Sequence, residues 1–391
     1  MSLEVVGRFN PESTILRALP PPVDKNQVLS QKEIITTIES LIKKNNPELK
    51  IIAKQDTNSS LVLFYGQQDP EIVVKTIRSL SGELYKLQLL SIIAEGAALE
   101  YLSGAWAFKG NSPNTKPFPF PLHRQFGIPY PSLDTEEILP TDPPILIMES
   151  VTGVTLEITL NKIKATTNNL DDRLLLASKI CEAVQTLNEL GLYHRDLKPS
   201  NIIVKPNGDI SVIDFGSCFI DSSNLSQKIL EDHLDTFLQA PISATLPYAP
   251  LEISCSTSRA HYAKNVDIFA LGAIIYEILK GEQLFRGSCR SEIEDQKRGV
   301  LDMIKNAREL PEGFAGLIAH AVCPIAGDRF QSVKQLIKAF AELRPDIQTK
   351  QLSQETLNAL CSQAKEKVDS NAPTILKLPS ANSCFKSSLA A

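Results

Sequence analysis

Apolar residues recur along this chain with two spacings, and the switches between them mark out its elements. Ile34, Ile38, Leu41 and Ile42 share one face of a helix that opens near Gln31, with Ser30 and Glu33 as a capping box and Asn46 and Pro47 as its stop. Between Lys50 and Ile77 the spacing changes to short β-branched runs, KIIAK, LVLFY and EIVVKTI. They are parted by DTNSS and GQQDP, which predicts three strands. A further helix is predicted from Glu95, where EGAALEYL sets Leu99 and Leu102 at helical spacing. From 103 to 144 proline and aromatic residues dominate, as in NSPNTKPFPFPLHRQFGIPYP. That stretch reads as a long excursion with one strand near Ile128–Ile138 and a turn at LPTDPP. Helical spacing returns at Leu170 and runs through RLLLASKICEAVQTLNELGLYH. The strongest apolar run, IFALGAIIYEIL from Ile268 to Leu279, is too short to span a bilayer and is predicted as a buried helix. Beyond Arg344, SQETLNALCSQAKEKV reads as a weak helix, followed by a Ser, Asn and Ala-rich end that reads as disordered.

Chemistry enters between Tyr193 and Ser217, YHRDLKPSNIIVKPNGDISVIDFGS. The runs Ile202–Val204 and Ile210–Ile213 flank Pro206, Asn207, Gly208 and Asp209, and an Asn-Gly pair between apolar runs predicts a hairpin. Antiparallel pairing would set Asn201, at the entry of the first strand, beside Asp214 at the exit of the second, with Asp196 on the loop just before. Three oxygen-bearing side chains would converge. A hard cation such as Mg²⁺ takes one or two ligands of this kind while gripping phosphates, which leaves the third to handle a proton.

HRDLKPSN followed by DFG resembles the catalytic loop and metal-binding turn of the eukaryotic-type serine/threonine protein kinases. That resemblance implies a two-lobed α+β fold, a small antiparallel-sheet N-lobe with one main helix and a larger helical C-lobe. The implied divisions are 1–48 for an arm and amphipathic helix, 49–152 for the N-lobe with a Pro-rich insertion near 103–122, 153–345 for the C-lobe, and 346–391 for a helix and tail. It also implies ATP and Mg²⁺ as cofactors and a protein substrate. Asp196 would orient the acceptor hydroxyl and take its proton, Lys198 would steady the γ-phosphate, and Asn201 and Asp214 would hold the metal. Lys75, in VVK, matches the family's third-strand lysine, with Glu95 as its expected partner and Glu83 or Glu100 as alternatives. Val62 would line the nucleotide site. Met148, in PILIMESVTGVTL, would guard the back of the adenine pocket, where Glu149 and Val151 would offer backbone hydrogen bonds. Ser217 to Leu251 resembles an activation segment that ends in ATLPYAPLE. This ending departs from the family's pattern at Ala244, Pro250 and Leu251 but keeps Thr245, which would bond Asp196 and Lys198. Glu252 would pair with Arg329, and Asp267 would cap the catalytic loop. Arg195 suggests control by a phosphate on Ser222, Ser223, Ser226, Thr236 or Ser243.

One departure bears on the nucleotide. The family's three glycine positions before Val62 fall on Gln55, Thr57 and Ser60. An unfavourable dihedral there costs about 1 to 3 kcal/mol, against about 4 kcal/mol for a lysine-to-phosphate contact at a dielectric of about 20. The loss should weaken or reshape nucleotide binding rather than abolish it. The alternative is a catalytically weak pseudokinase used as a binding scaffold.

Totals narrow the partners and the setting. The 391 residues, 43% of them hydrophobic, suffice for two or three compact units. The net charge of −5, without clustered positive charge, gives no reason to expect nucleic acid or an anionic membrane. Seven scattered cysteines without a CxxC pair predict free thiols in a reducing compartment. The start lacks a basic region followed by an apolar core, so no secretory signal or membrane span is expected. The cytoplasm is the expected location, or the host cytosol if the chain is a bacterial effector whose tail serves for export. The apolar stripe of the first helix is expected to pack on the following domain and the Pro-rich excursion to brace the helix before it. Each is also a candidate surface for a regulatory partner.

Overall fold

The computed structural model describes residues 31–56, 60–67, 70–77, 82–112, 116–119, 121–125, 145–160, 169–221, 244–255, 263–307 and 309–360. The N-terminal arm with Ser30, Thr57, the strand expected near Ile128–Ile138, the five phosphorylation candidates and the chain beyond 360 lie outside the described residues.

Five strands, β1 (Lys50–Asp56), β2 (Leu61–Gly66), β3 (Pro70–Thr76), β4 (Pro121–Gln125) and β5 (Ile145–Glu149), form an antiparallel sheet ordered β1-β2-β3-β5-β4. Register places Val62 opposite Lys75 and Leu63 opposite Val74. Cross-strand partners share a face, so one face carries Leu63 and Val74 and the other carries Val62 and Lys75. Helix α1 (Gln31–Asn45) delivers Ile34, Ile38 and Ile42, each no more than 2% exposed, to the same core as Leu61, Leu63, Tyr65 and Val74. Burying each isoleucine is worth about 1.5 to 3 kcal/mol, and the stripe is thereby used within the chain. β4 is an edge strand, and its first residue is Pro121, a position where the missing N–H does no harm.

Helix α2 (Gly82–Phe108) differs from expectation at both ends. It starts well before Glu95, which lies near its middle, and it runs past 103 into the stretch read as excursion. Leu89, Ile92, Ala94, Ala97, Ala98, Leu99 and Leu102 are all buried, so apolar residues surround the helix and leave no stripe for periodicity to detect.

The second lobe is helical: α3 (Leu170–Glu189), α4 (Glu252–Cys255), α5 (Ala263–Lys280), α6 (Arg290–Arg298), α7 (Val300–Lys305), α8 (Phe314–Ala321) and α9 (Val333–Leu343). Asn169 caps α3 by accepting from Asp171 N at 3.0 Å. The apolar run expected as a buried helix is α5, which packs on both α3 and α8. Short strands β6 (Val154–Thr155), β8 (Ile202–Val204) and β9 (Ile210–Val212) make one sheet, and β7 (Leu192–Tyr193) pairs with β10 (Phe219–Ile220). Gly208, at φ 79°, turns the β8–β9 hairpin. Residues 354–360 are helical and return to this lobe, burying Leu352 and Leu360. Asp172, itself 3% exposed, accepts from Ser353 N (2.9 Å), Ser353 Oγ (2.5 Å) and Thr356 Oγ1 (2.6 Å). Among the described residues no helix is long and apolar enough to cross a membrane.

Candidate active site

Lys75 stands on β3, between β2 and β5 in the sheet, and its ammonium bridges two carboxylates. Nζ donates to both oxygens of Glu95, at 2.8 and 2.7 Å, and to Asp214 Oδ1 at 2.9 Å. Burial alone would lower the lysine's pKa, but Asp214 and Glu95 outweigh it and the net shift is upward. Asp214 shows the reciprocal balance. Burial raises its pKa, while Lys75 and then Lys198 pull it down, to about 2. Glu95 is only 2% exposed, and burial leaves its pKa raised despite Lys75 and the backbone amide of Phe215. Glu95, Lys75 and Asp214 are thus brought together. Lys75 makes its described bonds to Glu95 rather than to the alternative Glu100.

The hairpin supplies the lower half. Ile213 N donates to Asn201 O at 3.0 Å, so the strand ends that carry Asn201 and Asp214 meet. Asp214 has φ 69° and Arg195 φ 65°, a left-handed conformation that a non-glycine residue adopts only when its surroundings hold it. The holding group for Arg195 is Asp267. This buried carboxylate on α5 accepts from His194 N and Arg195 N, both at 2.8 Å. Arg195 itself is buried and donates from Nε to Ser217 O (2.5 Å) and from a terminal nitrogen to Cys218 O (3.2 Å). These bonds tie the His194–Asp196 loop to the chain just after Gly216.

Asp196 is 7% exposed and oriented at both oxygens. Oδ1 accepts from Thr245 N (3.0 Å) and Thr245 Oγ1 (2.9 Å), and Oδ2 accepts from Lys198 Nζ (2.8 Å). Lys198 also donates to Thr245 Oγ1 at 3.1 Å. Asn201 Nδ2 donates to Asp196 O at 3.0 Å, which leaves the amide oxygen as the group that could meet a cation. Asp214 and Asn201 offer oxygen donors alone, a set that suits Mg²⁺ when phosphates and water complete its shell.

Toward the sheet, Val62 is 6% exposed on the same face as Lys75, and Met148 is 4% exposed on β5. The Glu149 side chain is engaged by Lys116 at 2.7 Å, so only its backbone is offered to a ligand, and Val151 follows in the segment leaving β5. Gln55 lies within β1, paired with Val62, and Ser60 is buried. Glu252 takes a bidentate pair from Arg329, at 2.5 and 2.9 Å, with the arginine side chain wholly enclosed.

Some contributors were not anticipated. Phe215 is fully buried against the His194 ring, 5.1 Å between centroids. Gly216 packs so closely on α2 that a Cβ there would stand 2.1 Å from Ser91 Oγ. Lys297 is buried and donates to Leu246 O at 2.6 Å, next to Thr245. The DFG tripeptide could have signalled the first two, whereas in SEIEDQKR Lys297 looks like any solvated charge.

A sheet lobe above a helical lobe, with a lysine–carboxylate bridge facing an oriented aspartate and an oxygen-lined hairpin, defines a two-lobed kinase fold. The family model described as "Protein kinase domain" matches residues 136–350, and the chain belongs to that family. Similar proteins include a "cAMP-dependent protein kinase, catalytic subunit-like" from Caenorhabditis elegans, 34% identical over 169 residues, covering 43% of this chain and 36% of the relative. "Serine/threonine-protein kinase PknD" from Chlamydia muridarum is 30% identical over 184 residues, 44% of this chain and 19% of the relative. "Glycogen synthase kinase-3 homolog YGK3" from Saccharomyces cerevisiae is 33% identical over 146 residues, 36% of this chain and 35% of the relative. The matched stretches thus span little more than a third of these relatives at most. Lys75 and Glu95 precede the matched residues 136–350, and it is their geometry that joins them to the site.

Proposed function

We propose that this protein transfers the γ-phosphoryl group of ATP to a serine or threonine hydroxyl of a protein substrate. One observation carries the reading: a lysine bridged to two carboxylates shares its electrostatic field with an aspartate oriented at both oxygens, since Lys198 bonds Asp196 and also depresses the pKa of Asp214. Phosphoryl transfer needs positioning and charge neutralisation more than covalent help. Lys75 would meet the α and β phosphates, with Glu95 keeping it extended. Asp214 and the Asn201 amide oxygen would hold Mg²⁺, which supplies positive charge at the phosphates. Asp196 would accept the hydroxyl proton at a carboxylate oxygen as the hydroxyl oxygen bonds the γ-phosphorus and the bond from that phosphorus to the β-phosphate oxygen breaks, releasing ADP, and Lys198 would balance the γ-phosphate. Val62 and Met148 would enclose the adenine, with backbone groups of Glu149 and Val151 beside it. The preference for serine and threonine rests on Lys198 and Thr245 and on a relative named as a serine/threonine-protein kinase. We read 49–152 and 153–345 as the two lobes. Buried, free Cys181 and Cys218 support a reducing cytosol as the compartment.

A scaffold without transfer activity is the second reading, favoured by Gln55 and Ser60 where the family carries glycine. Radiolabel transfer from γ-labelled ATP to the protein and to generic substrates separates the two. Asp196→Ala and Asp214→Ala are each expected to lose about 100-fold or more of the wild-type rate. Equal labelling by all three proteins would overturn the kinase reading. No labelling, with no thermal shift on adding Mg-ATP, would leave the scaffold.

A further inference from the structure

In the proposed reaction Lys75 works only while Glu95 holds it, so whatever fixes α2 fixes the active site. α2 is unusual in length and in what it touches. It runs unbroken for 27 residues and carries no proline, spanning about 40 Å at 1.5 Å per residue. Glu95 lies at its middle, with contacts to the second lobe on either side. On the near side, Ser91 lies against Gly216 of the DFG turn, where a Cβ would stand 2.1 Å from Ser91 Oγ and 3.2 Å from Ser91 O. On the far side, Tyr101 OH donates to Leu190 O at 2.5 Å, and Lys109, just past the helix, donates to Glu189 O at 3.3 Å.

Those two carbonyls belong to the last turn of α3, whose oxygens lack helical partners of their own. Leu190 leads through Gly191 and β7 straight into His194 and Asp196. The chain that leaves α2 then closes a third contact. Trp106 donates to Ser112 O at 2.8 Å and meets Phe118 edge-on at 5.9 Å. Next to Phe118, Pro117 O accepts from Val212 N of β9 at 2.8 Å, two residues before Asp214.

We propose that α2 is an undivided strut that keeps the Lys75–Glu95 pair assembled before nucleotide binds and without phosphorylation of the activation segment, with Tyr101 as its positioning residue. A helix can swing Glu95 away from Lys75 only by bending or by moving whole. α2 has no proline, runs unbroken through Gly96, and carries its one Gly/Ser pair, Ser103–Gly104, beyond Tyr101, so a kink at that pair would leave Glu95 and Tyr101 on one piece. Moving it whole would break the contacts at Gly216 and Leu190 together and pull Trp106 off Phe118, whose neighbour Pro117 holds Val212. Tyr101 bonds from within the helix to Leu190 O, at the end of α3 from which the chain runs into His194 and Asp196, and so it couples the glutamate to the base. This inference rests on the kinase reading for its consequence, though not for its geometry.

Hydrogen–deuterium exchange on the full chain, treated with phosphatase and free of nucleotide, tests the geometry without needing activity. Peptides spanning 88–102 and 186–196 should already be protected without nucleotide, and Mg-ADP should slow them no more than it slows the core peptides of α3 and α5. In Tyr101→Phe, both should exchange at least tenfold faster and regain protection when Mg-ADP is added. Fast exchange of 88–102 in the wild type, slowed only by nucleotide or phosphorylation, would overturn the strut. Unchanged exchange in Tyr101→Phe would overturn the role of Tyr101. Kinetics provide a second readout. If the assembled state alone binds nucleotide, Tyr101→Phe raises KM for ATP several-fold and saturating ATP restores kcat. A merely destabilised protein would lose kcat at constant KM, and that result would also overturn the positioning role. A protein that never binds nucleotide would refute the kinase reading while the exchange pattern still decides the strut.

Discussion

Arg329 is among the largest side chains withdrawn from water, and its bonds tie Glu252, at the end of the segment that carries Thr245, to the turn at Cys323 and Pro324. Its guanidinium takes both oxygens of Glu252 and also donates to the carbonyls of Cys323 and Pro324. Replacing it strands a carboxylate and two acceptors. Arg329→Met is expected to cost about 3 to 5 kcal/mol, read as a drop in the denaturant midpoint. A change below 1 kcal/mol would show that the pair is dispensable. Lys297 makes a different kind of residue-scale case. It sits near the stacked rings of Phe269 and Phe285, 5.9 and 5.8 Å from their centroids, and burial lowers its pKa from 10.5 to about 8 despite the pull of Glu294. The folded protein therefore sheds this proton before the unfolded chain does. The group opposes folding most below pH 8, and its contribution becomes more favourable as pH rises from 8 toward 10.5. Lys297→Met should remove that rise, so the stability difference between wild type and variant must vary with pH across the window. A constant difference would contradict it.

Among elements, the β8–β9 hairpin was legible from four residues, because an Asn-Gly turn acts locally and fixes the register at once. The segment that docks behind it was not. Residues 351–360 lie beyond the matched kinase stretch, yet Leu352 packs onto Gly208 at the hairpin tip and Ser353 and Thr356 satisfy Asp172. Weak helical spacing revealed the helix but not its destination, since a short polar cap gains its value only from a buried carboxylate elsewhere. Deleting residues 351–391 is expected to destabilise the protein by about 3 to 6 kcal/mol, from the lost burial of Leu352 and Leu360 and of the surface they cover, and from an orphaned buried Asp172. Urea denaturation measures this, and an unchanged midpoint would mean that the segment does not dock in solution. α2 teaches the converse. Its amphipathic signal is absent because it is buried on most sides, so the sequence pattern exposed only the half near Glu95.

For the whole molecule, the question is how two lobes share one site. If nucleotide bridges them, Mg-ATP at 100 times its Kd should add about 2.7 kcal/mol to stability, and Lys75→Met should abolish most of that gain. A thermal shift of equal size in the variant would place the nucleotide elsewhere. What the sequence determined by itself was the inventory: the α1 stripe, three strands, the hairpin, and the residue types Lys75, Asp196, Asn201 and Asp214 in kinase-like order. Capping, alternation and turn chemistry act over a few residues, so a linear reading captures them. Local patterning did not reach the pairings: Lys75 with Glu95, Glu252 with Arg329 and Asp267 on the loop at His194 were expected only through the family resemblance, and the Lys75–Asp214 bridge was decided by the tertiary structure alone. Lys75 meets Glu95 across 20 positions and Asp214 across 139, Asp267 reaches His194 across 73, and Arg329 reaches Glu252 across 77. Contacts of that span depend on strand register, on helix rotation and on which faces are buried together, and no local preference encodes them.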